Sequence, residues 1–153
     1  MQRRTRRASG AAPKRRHWES EEQKAVVDWA SCYRIADYLS PPQLAALRAE
    51  LGRAPFLADL MPHVPNGGAR VGVEPAILTR LGVIPGVSDL VLFLPRRGYC
   101  GAFLEMKAPP QIRSTVTPEQ KRWQAIMSAM GYYCAVARGF EAARARLLEY
   151  LTP

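Results

Sequence analysis

Gly86-Val87-Ser88-Asp89-Leu90-Val91-Leu92-Phe93-Leu94, followed by Pro95-Arg96-Arg97-Gly98-Tyr99 and then Cys100-Gly101-Ala102-Phe103-Leu104-Glu105-Met106-Lys107, decides the fold of this chain. Two β-rich apolar runs flank a short connection containing Pro and Gly, the signature of antiparallel strands joined by a five-residue loop. Pairing Leu94 with Cys100 sets Asp89 opposite Glu105. Side chains alternate along a strand, so Asp89, Val91 and Phe93 share a face with Gly101, Phe103, Glu105 and Lys107. Leu90, Leu92, Leu94, Leu104 and Met106 fill the other. One end of an otherwise apolar face therefore carries two acids and a lysine.

Opposed residues hold their Cβ atoms roughly 4.5–5.5 Å apart, and two carboxylates that close repel unless a proton or a cation sits between them. Mg²⁺ takes one or two carboxylates and completes its octahedron with water and phosphate oxygens, a ligand set this hairpin offers. Lys107 lies on the face of Glu105, where it can hold an attacking water or neutralise charge developing on a phosphate. The constellation points to phosphodiester hydrolysis. The plain alternative is a chance acid-x-Lys triplet at a solvated sheet end.

Outward from the hairpin, the apolar spacing from Trp18 to about Leu39 predicts a helix with Val26, Val27, Ala30 and Tyr33 on one stripe. Glu19, Glu22 and Gln23 extend that stripe toward the helix start, so either acid can lend a third carboxylate, Glu19 being preferred. Ser20 and Gln23 also fit a capping box, which would leave Glu19 just outside the helix. After Pro41-Pro42, a short amphipathic helix is expected over Gln43 to Leu51, then a short strand within Phe56 to Val64. Pro65-Asn66-Gly67-Gly68 is turn chemistry. It is either an ordinary loop or a place where backbone approaches DNA closely, with Asn66 and Arg70 available for contacts.

Pro75 to Leu81 reads as a short helix closed by Gly82. Residues 108–116 form a polar loop after Lys107, a flap carrying Arg113 toward DNA. Thr117-Pro118-Glu119-Gln120 starts a helix with Trp123, Ile126, Met127 and Met130 on its apolar stripe. Gln120 is either a cap or a site residue, and both roles are compatible. Tyr132 to Ala137 is a buried strand, and Phe140 to Leu151 a closing helix. His17 and His63 read as structural. The order gives an α/β core, a mixed β-sheet flanked by helices, in which the helix after Thr117 is the crossover a parallel pairing requires.

A chain of 153 residues, 48% hydrophobic, fits one domain with its own core. Its three cysteines are scattered, with no CxxC pair, and the start does not read as a signal peptide; free thiols in a reducing cytoplasm are expected. No apolar run approaches the roughly 20 residues of a membrane span. Net charge is +9, from 22 basic and 13 acidic residues. Residues 1–16 hold seven basic side chains, ending in Lys14, Arg15 and Arg16, and no acid, so the rest is nearly neutral. This stretch reads as a disordered arm that binds the phosphate backbone without reading sequence, and residues 17–153 as the folded domain.

The order of motifs resembles the VRR-NUC family, a branch of the PD-(D/E)XK nuclease superfamily, in its stand-alone phage or bacterial form. The matching pieces, spread over residues 18–151, are Glu19-Ser20-Glu21-Glu22-Gln23, Pro65-Asn66-Gly67-Gly68, Gly82-Val83-Ile84-Pro85-Gly86-Val87-Ser88-Asp89-Leu90, Glu105-Met106-Lys107, Pro118-Glu119-Gln120-Lys121-Arg122-Trp123 and Gly131-Tyr132. The resemblance implies a restriction-endonuclease-like core and Mg²⁺- or Mn²⁺-dependent DNA cleavage. It implies catalytic roles for Asp89, Glu105 and Lys107, with Glu19 and Gln120 supporting, and metal ligands from Asp89, Glu105, Glu19 and the Met106 backbone carbonyl. It further implies a homodimer acting on branched DNA such as four-way junctions. Ser88 stands where the family usually has proline. The competing readings are a nuclease-like binding module without cleavage and a basic partner-binding protein whose acids are surface charges.

Overall fold

The computed structural model describes residues 15–65, 77 and 80–152, without the side chains of residues 15–17. The arm up to residue 14, the turn at residues 66–68 with Asn66 and Arg70, and the start of the helix expected from Pro75 lie outside the described residues. Four helices lie wholly within the described residues: α1 (Arg15–Ala30), α2 (Pro41–Leu51), α3 (Pro118–Ala129) and α4 (Phe140–Leu151). Three strands, β1 (Leu90–Leu92), β2 (Ala102–Lys107) and β3 (Tyr133–Arg138), form one sheet in the order β1-β2-β3. β1 and β2 are antiparallel, with Leu90 opposite Leu104 and Leu92 opposite Ala102, the register that the alternation predicts. β2 and β3 are parallel, joined through α3 as crossover.

The two faces of the hairpin separate as expected. Leu90, Leu92, Leu94, Leu104 and Met106 pack with Val26 and Ala30 of α1 and with Ala143, Leu147, Tyr150 and Leu151 of α4 into one core. Burying each leucine there contributes roughly 1.5–3 kcal/mol. On the opposite face Phe103 meets Trp123 of α3 and Tyr132 edge-on, with centroids 5.8 and 5.2 Å apart.

Four expectations need correction. The predicted helix from Trp18 to Leu39 starts earlier, at Arg15, and ends at Ala30, because the next residues pair with a distant segment: Arg34 bridges Phe56, and Leu57 N donates to Tyr33 O at 2.8 Å. With the helix starting at Arg15, Ser20 lies inside it and the proposed capping box does not exist. The strand expected within Phe56–Val64 is a 3-10 turn, Leu57–Leu60, followed by chain that runs antiparallel along β1: Val91 N donates to Pro62 O and Phe93 N to Leu60 O. Leu57 is fully buried, and Leu60 packs against the core.

The fourth correction is the hairpin loop, which is tighter than five residues. Arg96 and Tyr99 exchange both backbone hydrogen bonds around Arg97 (φ 52°) and Gly98 (φ 83°), a two-residue turn of the primed kind. Left-handed backbone costs a non-glycine residue roughly 1–2 kcal/mol. Here the turn is held onto α4: Arg97 donates to Glu149 O at 2.8 Å, and Arg96 donates twice to Leu151 O. These guanidinium groups satisfy carbonyls that a helix end leaves bare and complement its dipole. Arg96→Ala should therefore lose about 1–2 kcal/mol, read as a lower melting temperature.

Candidate active site

β1 and β2 bring the acids together at the end of the sheet where Gly86-Val87-Ser88 enters. Asp89, immediately before β1, turns its carboxylate to the backbone of β2, where Oδ2 accepts from Met106 N at 2.8 Å. Its carbonyl is held from the other side by Val64 N and His63 Nδ1, both at 2.8 Å. A carbonyl only accepts, so His63 carries its proton on Nδ1. His63 thus supports the backbone of Asp89, the motif aspartate.

Glu105 is fully buried. Its Oε1 accepts from Lys107 Nζ at 2.9 Å and from Gln120 Nε2; its Oε2 is buried with no hydrogen-bond partner. Burial first, then the charge of Asp89, pushes the Glu105 carboxyl up to about 7, against the pull of Lys107. Asp89 is also raised, by burial above all, while the Met106 amide and Lys107 oppose the shift. The pair holds its negative charge reluctantly, and nothing among the described residues hydrogen-bonds to Oε2 of Glu105. A cation is the natural complement.

Gln120 does two things with one amide. Its Oε1 accepts from Thr117 N at 2.9 Å, closing the capping box that starts α3. That bond fixes the amide orientation and leaves Nε2 to face Glu105. The helix start also faces the entering loop. A Cβ on Gly86, which has φ 85°, would overlap the Glu119 carbonyl and stand 2.6 Å from Gln120 N. Between the two lies a cleft of about 270 Å³, lined by Pro85, Gly86 and Asp89 on one side and Thr117, Glu119 and Gln120 on the other.

The two acids of α1 are used differently. Glu19 Oε1 accepts from Ser114 Oγ at 2.5 Å and from Ala108 N at 3.3 Å, next to Lys107 in sequence. Glu22 Oε2 accepts from Phe140 N at 2.5 Å and so holds the start of α4. Glu19 is therefore the acid on the motif side. It stays apart from the pair: among the described residues no three His, Cys, Asp or Glu side chains gather into a metal cage. Two carboxylates with an unengaged oxygen still fit Mg²⁺, which fills its remaining positions with water and substrate. Met106 reaches Asp89 through its amide. Arg113 is exposed on the loop after Ala108, and Arg15 and Arg16 belong to the first turn of α1. Ser88 is fully buried and its hydroxyl has no hydrogen-bond partner among the described residues.

Sequence reasoning passed over three residues. Ser114 and Arg138, whose guanidinium donates to Ser114 O at 3.0 Å, give no local signal. Gly86 does: a glycine where a loop enters a strand marks a close backbone approach.

The profile of the VRR-NUC domain family matches residues 77–141, which contain Asp89, Glu105, Lys107 and Gln120 but not Glu19. Among curated proteins none matches. A solved structure of a "VRR_NUC domain protein" is similar over 86% of this chain and 86% of its own, with 24% identity and a TM-score of 0.66. Among the described residues no helix is long and apolar enough to cross a membrane. The part of this chain that carries the motif, residues 77–141, is similar to VRR-NUC domains, and the fold around it is the one that solved structure shares.

Proposed function

We propose that the protein is a divalent-metal-dependent deoxyribonuclease that hydrolyses phosphodiester bonds in the cleft beside Asp89. The observation that carries the reading is the buried, unpartnered Oε2 of Glu105 next to a second carboxylate of raised pKa. Asp89 and Glu105, with the Met106 carbonyl, would hold Mg²⁺ or Mn²⁺. When bound, the ion supplies Lewis-acid stabilisation of phosphate charge and a more acidic water. Lys107, buried beside Glu105, is placed to hold the attacking water or to meet negative charge as it develops. Gln120 keeps Glu105 in one orientation, and Glu19 supports from α1.

The motif resemblance supports a homodimer that prefers branched DNA, since a two-fold dimer presents two sites to a symmetric junction. The test is incubation of the purified protein with linear, flapped and four-way DNA in Mg²⁺, Mn²⁺ or EDTA. Metal-dependent cleavage fastest on the branched forms is expected. DNA binding without cleavage in either metal would replace this reading with the inactive binding module. Light scattering at micromolar concentration should give the dimer mass; a monomer with and without DNA would overturn the assembly.

Asn66, Arg70, Arg113, Arg15, Arg16 and the basic arm are the proposed DNA contacts. Deleting residues 1–14 spares α1 and removes five basic side chains. Binding should weaken at low salt, and the slope of log K against log salt should flatten by up to about 4. The cleavage rate at saturating DNA should not change. An unaltered slope would take the arm out of DNA binding.

A further inference from the structure

We propose that Ser114 is the positioning residue for Glu19: its hydroxyl, on a loop fixed by Arg138, aims the α1 carboxylate at the end of β2. The inference rests on the nuclease reading above and adds the part of the site that lies outside the hairpin. A glutamate on a helix has three rotatable bonds and loses considerable rotamer freedom when held. Glu19 is held by one short hydroxyl bond and one longer amide bond, both to Oε1, at 2.5 Å from Ser114 and 3.3 Å from Ala108. A hydroxyl donating to a carboxylate is the stronger kind of contact.

Ser114 is itself not left to the loop. Arg138, the last residue of β3, donates to the Ser114 carbonyl, and Arg138 is the register partner of Lys107. Lys107, Ala108, Glu19, Ser114 and Arg138 therefore close a ring that begins and ends at Lys107. Within the loop, Ile112 N donates to Pro109 O, so the chain from Pro109 to Ser114 opens with a turn. The negative charge of Glu19 is felt by both Asp89 and Glu105. Its placement bears on how strongly the cleft attracts a cation. Groups that orient the acids of a metal site typically change metal affinity by about 10–100-fold when removed.

The test is a cycle of Ser114→Ala, Glu19→Gln and the double variant, with Ser114→Thr as the conservative control. Two readouts are independent of cleavage: the Mg²⁺ concentration that half-completes the rise in melting temperature, and hydrogen exchange at the Ala108 amide. Ser114→Ala should raise the half-saturating Mg²⁺ about tenfold and speed exchange at Ala108, with metal-free melting little changed. Ser114→Thr should restore both, and Ser114→Ala should add nothing in the Glu19→Gln background. Should Ser114→Ala not fold, Ser114→Cys, a weaker donor of similar size, is read the same way. A wild type that responds to Mg²⁺ while Ser114→Ala matches it, or an equal effect of Ser114→Ala with Gln at position 19, overturns the inference alone. A wild type with no response to Mg²⁺ overturns the nuclease reading and this inference with it.

Discussion

Asp89→Asn is expected to lose cleavage by at least about a thousandfold, yet to melt no lower than the wild type in EDTA. The two outcomes have one cause. In the metal-free protein the charge of Asp89 is the second largest influence raising Glu105, after burial itself. A neutral amide relieves that repulsion while deleting a ligand. The same shift sets the pH dependence. A carboxyl that holds its proton more tightly when folded adds stability below its ordinary value of 4.5 and loses it as pH rises through the folded value of about 7.

Wild-type melting in EDTA should therefore fall between these limits, and Asp89→Asn should fall less. Mg²⁺ should restore the wild type by mass action, most at the upper end where the competing proton has left, and should do little for the variant. Glu105→Gln should likewise abolish cleavage while keeping DNA binding. Wild-type cleavage by Asp89→Asn, in a gel assay under single-turnover conditions, would end the nuclease reading.

Gly86→Ala should be the most damaging change outside the acids. The added methyl has nowhere to go: it meets main chain of Glu119 and Gln120 rather than a flexible side chain, and the backbone at Gly86 is left-handed. Overpacking and strain together should cost about 2–4 kcal/mol, or roughly 5–15 °C in melting temperature. Whichever side yields, the cleft opens and Gln120 shifts relative to Glu105, so cleavage should fall about a hundredfold even where the protein remains folded. Gly82→Ala is the control. Gly82 has φ 82° but open space around it, so only the backbone cost of about 1 kcal/mol applies and activity should persist. Equal effects at the two glycines would remove the close approach from the account.

What could be read from residues alone was the part governed by short-range periodicity. Alternation fixed the β1-β2 register, and with it the Asp89–Glu105 opposition, because a slip of one residue would have turned Leu90 and Leu92 out of the core. The Thr117-to-Gln120 spacing announced a helix start, and the capping bond then left Nε2 for Glu105. Long-range packing hid the rest. The apolar stripe of α1 continues past Ala30, but Tyr33 and Arg34 find partners at Leu57 and Phe56, and the helix stops. Arg97 sits where turn rules ask for Gly or Asn, held by a carbonyl 52 positions away. No pattern in the sequence joins Ser114 to Glu19.

The distances along the chain between the parts of the site also impose an order in time. Asp89 to Met106 and Glu105 to Gln120 span 17 and 15 residues, whereas Glu19 meets Ala108 and Ser114 across 89 and 95. Closing the longer loops costs more chain entropy and is repaid only once α1 docks on the sheet. During synthesis α1 is made before its partners Ala108 and Ser114 and must wait for them. The hairpin and the start of α3 can assemble the acid pair before α1 docks, and Glu19 reaches Ala108 and Ser114 only once it has docked. A chain interrupted before Ser114 thus has the motif aspartate, glutamate and lysine but lacks both Gln120, which holds Glu105, and the hydroxyl that holds Glu19.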